Sequence, residues 1–169
     1  MNPNLAAWNG ADESVAVPAM LACCAARRWA QAMVARRPLR NVETLSLTAD
    51  ELWSAMNEAD WLEAFAAHPR IGERKTPPAA TRSATWSQQE QSSTANAANQ
   101  VLADLAAGNA LYERRFGFTY IVCATGKSAD EMLAILRRRL NNERASELRE
   151  AAEQQRQIMQ IRLGKWLVE

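Results

Sequence analysis

The stretch SADEMLAILRRRL, residues 128–140, decides the fold class of this chain. Ser128 and Glu131 have the spacing of a capping box, in which two side chains satisfy amides left free at the start of a helix. Apolar side chains then recur three and four residues apart, which places them on one helical face; they are Leu133, Leu136 and Leu140. The stretch therefore predicts a helix with one buried side.

Similar helical signals extend over the rest of the chain. Alanine is abundant, β-branched residues are few, and the six glycines and six prolines stand where helical patterns stop. The one convincing extended run is 118–122, and no partner strand accompanies it. We therefore predict an all-α fold: a single-domain helical bundle of about eight helices, spanning residues 1–169, with no substantial sheet.

Local patterns also predict several helix boundaries. Two more capping boxes place helix starts at Thr48 and at Ser87. The helix that starts at Ser87 is expected to run to about Ala107, with a separate helix from Asn109. Pro18 lies near the middle of an early helical pattern and predicts a break there.

Charge, hydropathy and cysteine content exclude several classes of protein. Twenty basic and nineteen acidic residues give a net charge of +1, so a basic nucleic-acid-binding surface is not expected. No apolar run reaches the ~18 residues of a membrane-spanning helix, and no secretory signal is visible. An odd number of cysteines, two of them adjacent, is typical of a reducing cytoplasm. With a single histidine and no C-x-x-C pair, we predict no metal site.

His68 is the first candidate for chemistry. It ends a short helical pattern and precedes Pro69, which disfavours helix at the residue before it. An irregular loop, residues 69–86, follows, and long loops in compact domains are often functional. An imidazole pKa near ~6.5 suits proton transfer at neutral pH. The alternative is a histidine that interacts only with the dipole at a helix C-terminus.

Two further groups have both a structural and a functional interpretation. Ser87 and Glu90 either cap a helix or, together with Gln91, bind an anionic, amide-rich ligand at the helix N-terminus. Arg162 lies among apolar residues of the last helix, and a buried guanidinium requires a partner. That partner is either a protein carboxylate or a carboxylate or carbonyl of a ligand. By contrast, we expect the consecutive arginines of 137–139 to be solvated.

Several blocks, taken in this order, resemble the OHCU decarboxylase family, where OHCU is 2-oxo-4-hydroxy-4-carboxy-5-ureidoimidazoline. The blocks cover nearly the whole chain and are CCAARRW at 23–29, AHPRIG at 67–72, SQQEQ at 87–91, YERRFGF at 112–118, IVCA at 121–124, and Ile158 with IRL at 161–163. The resemblance departs at Thr119, where many members have proline.

The resemblance implies a cofactor-free, all-helical carboxy-lyase that converts OHCU to (S)-allantoin and CO2 in urate catabolism. It implies a homodimer that binds this small molecule and neither nucleic acid nor membrane. It also implies that His68, Glu90 and Arg162 are catalytic. The implied substrate contacts are Pro69, Ser87, Gln88, Gln89, Gln91, Tyr120, Ile121, Val122, Cys123 and Ala124. The chain ends without the peroxisomal signal of vertebrate members, so we expect a bacterial, cytoplasmic enzyme.

Decarboxylation without a cofactor requires stabilisation of the electrons left on carbon. Arg162 and backbone amides suit the charge that develops on the ring, Glu90 and Gln91 suit the ureido group, and His68 suits the proton step. His68 either removes a hydroxyl proton or donates one to carbon. Two alternatives remain open: a hydrolase acting on a neighbouring ureide, and a non-catalytic helical interaction module.

Overall fold

The computed structural model describes residues 1–73 and 81–169 of the chain. Over these residues the fold is entirely helical, without a strand, so the predicted all-α class is confirmed there. The helices are α1 Pro3–Gly10, α2 Glu13–Cys23, α3 Arg27–Ala35, α4 Val42–Ser54, α5 Glu58–Ala66, α6 Arg82–Glu90, a 3₁₀ helix Ser92–Asn96, α7 Asn99–Phe116, α8 Ala129–Arg139 and α9 Arg144–Trp166. None of these helices is long and apolar enough to cross a membrane.

The described residues group into two compact units. Unit 1 comprises Met1–Ala64 and Gln155–Glu169, and unit 2 comprises the described part of Phe65–Gln154. Helices α5 and α9 therefore contribute residues to both units. The single-domain organisation of residues 1–169 stays a prediction.

Tryptophan side chains form much of the core of unit 1. Trp29 is fully buried, and its indole N–H donates to the Ala49 carbonyl at 3.1 Å. Trp8 packs edge-on against Trp166 with ring centroids 6.1 Å apart, and its indole N–H donates to the Ala16 carbonyl. Trp8 and Trp29 thus each bury a large apolar surface while their one side-chain donor is satisfied.

Close packing of α7 against α8 organises unit 2. At Gly108 a Cβ atom would come within 2.5 Å of the end of the Leu136 side chain, so any larger residue would require this side chain to shift. The contact offsets the helix-weakening effect of glycine, and α7 continues through this position. The predicted separate helix from Asn109 is therefore wrong. Gly117 ends α7 with a φ of 82°, in the left-handed region that favours glycine.

Three other predicted boundaries are wrong. Asn41 caps α4 by accepting from the Thr44 amide, so Thr48 lies inside this helix. Helix α2 continues through Pro18. The helix predicted from Ser87 to Ala107 is instead α6, the 3₁₀ helix and the start of α7.

A related correction concerns the loop predicted at 69–86. Its last residues belong to α6, which begins after Thr81, whose hydroxyl accepts from the Ala84 amide. Residues 74–80 of that loop lie outside the described residues. The cap at Ser128 is confirmed, since its hydroxyl accepts from the Glu131 amide at 3.1 Å. A Ser/Thr-x-x-Glu pattern also fits a helix interior, so the pattern alone does not fix a start.

Candidate active site

His68 lies just beyond the end of α5, at the helix-to-loop junction that the sequence predicted. Its backbone amide donates to the Phe65 carbonyl at 3.1 Å, and its side chain is half-buried. Phe65 is fully buried and packs against Phe118, with ring centroids 5.5 Å apart. The imidazole is thus carried by a turn that starts at Phe65, a residue buried in the core of unit 2.

Helix α7 fastens the loop that follows His68 at two points. The Arg70 guanidinium makes a two-pronged ion pair with the Glu113 carboxylate, at 2.6 and 2.8 Å. The buried Asn109 side chain donates to the Ile71 carbonyl at 3.1 Å. The first contact is exposed to solvent and the second is shielded from it, so they hold the loop with different strength.

Gln91 links the SQQEQ block, residues 87–91, to the same loop. It follows α6 directly, and its Oε1 atom accepts from the Gly72 amide at 3.0 Å. Gly72 has a φ of 83°, a left-handed conformation that favours glycine. Because a backbone N–H only donates, this contact identifies the oxygen end of the Gln91 amide, and Nε2 is the donor end.

The rest of the SQQEQ block lies in the C-terminal half of α6. Ser87 is buried and Glu90 is half-buried, and residues three apart share a helical face. Gln88 and Gln89 are exposed. The block therefore stands at a helix C-terminus, and the expected anion-binding helix N-terminus at Ser87 is wrong. The helix begins five residues earlier, at Arg82, because Thr81 supplies its cap.

The predicted extended run 118–122 and the predicted contact residues 120–124 form one segment, 118–124, which belongs to no helix or strand among the described residues. All five of the predicted contact residues, Tyr120, Ile121, Val122, Cys123 and Ala124, are buried. The Tyr120 hydroxyl donates to the Met132 carbonyl at 2.9 Å, which ties the segment to α8. Ser93 and Lys127 link it to the residues after Gln91, since Ser93 Oγ donates to the Lys127 carbonyl and Lys127 Nζ to the Cys123 carbonyl, both at 2.7 Å.

Side chains from α8 and α9 hold the backbone of this segment. Arg139 Nη1 donates to the Ile121 carbonyl at 2.6 Å. The Cys123 amide donates to Gln154 Oε1 at 2.8 Å. Neither Arg139 nor Gln154 was predicted as a site residue.

Arg139 is fully buried, so the prediction that 137–139 are all solvated is wrong for this residue. Its guanidinium pairs with the fully buried Glu147 carboxylate, at 2.7 Å from Nε to Oε1, and lies 5.0 Å from the Tyr120 ring centroid. Arg139 stands three residues after Leu136, on the buried face of α8. That spacing is the signal that could have identified it.

The phenols around this pair are neutral. Tyr112 donates its hydroxyl proton to Glu147 Oε1 at 2.5 Å. Burial raises the pKa of Tyr112 and of Tyr120 well above the ordinary tyrosine value. Tyr112 therefore acts as a donor to Glu147, and the charged members of the cluster are Arg139 and Glu147.

Arg162 belongs to unit 1, whereas the other predicted site residues belong to unit 2. It is buried, as the sequence predicted, and its Nη1 donates to the Ala22 carbonyl at 3.4 Å. Burial raises the pKa of the nearby Cys24 thiol to about 12, although the charge of Arg162 acts to lower it. The Cys24 thiol is therefore neutral at physiological pH and is not an activated nucleophile.

Among the residues that the structure describes, no group of three or more His, Cys, Asp or Glu side chains is placed to hold a metal ion. The absence of a metal in the reaction stays a prediction.

Comparisons with known proteins agree with the resemblance seen in the sequence. The chain is 38% identical over 144 residues to the uric acid degradation bifunctional protein TTL of Arabidopsis thaliana, covering 85% of this chain and 44% of that protein. It is 44% identical over 55 residues to the 2-oxo-4-hydroxy-4-carboxy-5-ureidoimidazoline decarboxylase of Amia calva, covering 32% of this chain and 31% of that one. The chain thus matches less than half the length of these curated relatives.

Solved structures share the fold. An OHCU decarboxylase crystallised in the presence of (S)-allantoin superposes with a TM-score of 0.77 at 31% identity, over 94% of this chain and all of that one. An (S)-allantoin synthase superposes with a TM-score of 0.71 at 16% identity, over 96% of this chain and 53% of that one. The model of the OHCU decarboxylase family matches residues 9–164. The chain belongs to the OHCU decarboxylase family.

Proposed function

We propose that this protein is a carboxy-lyase that converts OHCU to (S)-allantoin and CO2 in urate catabolism, without a cofactor. The observation that carries the proposal is the family match over residues 9–164, a range that contains every predicted site residue. The full-length superposition on a solved OHCU decarboxylase supports it further.

The chemistry assigns one task to each side chain. The bond between the ring carbon and the carboxylate breaks, its electron pair passes into the ring as an enolate-like system, and a proton then adds to that carbon. His68 is proposed to handle the proton, either by taking it from the substrate hydroxyl or by delivering it to carbon. Arg162 is proposed to stabilise the charge that develops on the ring oxygen.

The ureido group is proposed to bind at the end of α6. Glu90 supplies a carboxylate that accepts from the ureido N–H groups, and Gln91 Nε2 donates to the ureido carbonyl. This division of roles follows from the contact of Gln91 Oε1 with Gly72. Pro69 and Ser87 are proposed to line the pocket. The predicted substrate contacts of Gln88 and Gln89 stay predictions, and the exposure of both side chains does not support them.

The backbone of 120–124 is proposed to bind the ring. The Ile121 carbonyl and the Cys123 amide and carbonyl already bond to protein side chains. We therefore assign the substrate contact to the peptide groups of Val122, which lies between them. On the family resemblance we also propose a homodimer in the cytoplasm.

The test is the addition of the protein to freshly generated OHCU, with CO2 release measured and allantoin chirality followed by circular dichroism. Accelerated CO2 release with one allantoin enantiomer is the expected result. Prior dialysis against a strong chelator should leave the rate unchanged. A hydrolase would instead cleave a neighbouring ureide without releasing CO2, and an interaction module would change neither reaction; either outcome would overturn the proposal.

A further inference from the structure

The buried segment 118–124 contains backbone amides and carbonyls that no helix or sheet ladder pairs among the described residues. Apart from Thr119 its residues are buried, yet among the described residues they belong to no helix and no strand pairs with them. Buried backbone amides and carbonyls nevertheless require partners. For the Ile121 carbonyl and for the Cys123 amide and carbonyl those partners are side chains, so the conformation of the segment depends on a few specific residues and not on a sheet ladder.

Two of these contacts flank one residue. The Arg139 guanidinium holds the Ile121 carbonyl at 2.6 Å, and Gln154 Oε1 holds the Cys123 amide at 2.8 Å. Val122 lies between them, and its two peptide planes each contain one of the fastened groups. We propose that Arg139 and Gln154 are positioning residues that orient the Val122 peptide groups for the substrate; this inference rests on the proposed function.

Arg139 is assigned an indirect effect on the substrate, through the segment, because its charge is already paired within the protein. Its guanidinium pairs with the buried Glu147 carboxylate, which also accepts from Tyr112. A buried ion pair contributes little net stability compared with well-packed apolar side chains. Its specific effect here is directional, because a guanidinium held by a carboxylate presents a fixed N–H to the Ile121 carbonyl.

Gln154 gives the sharper test because it carries no charge and is only half-buried. Gln154→Met keeps the length of the side chain and removes the oxygen that accepts from Cys123. Gln154→Glu restores an oxygen acceptor at the same place. Arg149→Met, on an exposed position of α9, is the matched control for adding methionine to this helix.

The experiment measures kcat, KM and Tm of these variants with OHCU. Displacement of a binding group by a fraction of an ångström predicts a loss of ~10- to 100-fold in kcat/KM for Gln154→Met. Its Tm should fall slightly, because the Cys123 amide loses this partner, while Gln154→Glu and Arg149→Met should keep kcat/KM close to the wild-type value.

The outcomes separate this inference from the proposed function. If the wild-type protein does not convert OHCU, the proposed function fails and the inference fails with it. If the wild type is active but Gln154→Met is equally active, the inference alone is overturned. It is also overturned if Gln154→Met and Gln154→Glu are impaired to the same extent, because the acceptor oxygen then has no specific role.

Discussion

Two irregular segments of unit 2, the loop 67–73 and the buried segment 118–124, are both assigned to the substrate but are held in opposite ways. The loop carries a half-buried His68 and is tied to α7 partly through the exposed Arg70–Glu113 pair. The buried segment is held by the Arg139–Glu147 pair, which is fully inaccessible.

The difference matches two chemical tasks. A group that exchanges a proton in each turnover has to be re-equilibrated, which a half-buried position on a loop permits. A set of dipoles that stabilises developing charge is most effective when it is fixed and shielded from water. The comparison therefore predicts that loss of the His68 imidazole from the loop alters chemistry without altering folding, and that loss of a side chain that holds the buried segment alters folding as well.

The largest expected effect on chemistry is that of His68→Ala. General acid–base groups contribute ~10²- to 10⁴-fold, so turnover should fall by this factor while Tm changes little. Stopped assays on OHCU together with thermal unfolding measure both quantities.

His68→Asn is the matched variant, because asparagine keeps a polar side chain of related shape but does not take up or release a proton near neutral pH. It should be as inactive as His68→Ala. Turnover of either variant near the wild-type value would remove His68 from the mechanism. The loop 67–73 would then have no assigned part in proton transfer.

The largest expected effect on stability is that of Arg139→Met. Removal of one partner leaves the Glu147 carboxylate buried without its cation, which is expected to lower the free energy of unfolding by ~3–5 kcal/mol. Arg138→Met is the control, since Arg138 is the preceding residue of α8 and its pair with Glu150 is exposed. Urea denaturation that gave equal losses for the two variants would contradict the distinct role of the buried arginine.

Arg162→Lys tests whether a cation from unit 1 takes part in the chemistry assigned to these two segments. Lysine keeps the charge but not the planar fork of donors. If Arg162 stabilises charge on the ring, kcat and kcat/KM should fall together, by ~2–4 kcal/mol of transition-state stabilisation. Normal turnover with a lowered Tm would assign Arg162 a structural role.

The smallest expected effect is that of Arg70→Gln in the loop. Exposed ion pairs are weak and screened by salt, and Asn109 still holds the Ile71 carbonyl, so kcat should stay close to the wild-type value. Hydrogen bonding to Arg70 lowers the pKa of Glu113 below the ordinary value of 4.5. The contribution of the pair is therefore present above that pH and is lost as the pH falls below it.

Unfolding of wild type and Arg70→Gln across this pH range checks the sign, because the difference between them should shrink in acid. A large loss of kcat at neutral pH would mean that the exposed pair, and not Asn109, sets the position of the loop.

Local sequence determined the helical class, the cap at Ser128 and the junction at His68. These features depend on residues within about one helical turn, as in the effect of Pro69 on His68 or of Ser128 on the Glu131 amide. The spacing of apolar residues likewise follows from helix geometry alone. The resemblance supplied the candidate residues around these features.

Only the tertiary structure decided which distant side chains hold the loop 67–73 and the buried segment 118–124 in place. Arg139 follows two exposed arginines, and its burial depends on the packing of α8 within unit 2. Gln154 meets the Cys123 amide across 31 residues of sequence, and Asn109 meets Ile71 across 38. Such contacts satisfy backbone groups that no helix or sheet pairs, and a local pattern contains no information about which distant side chain will reach them.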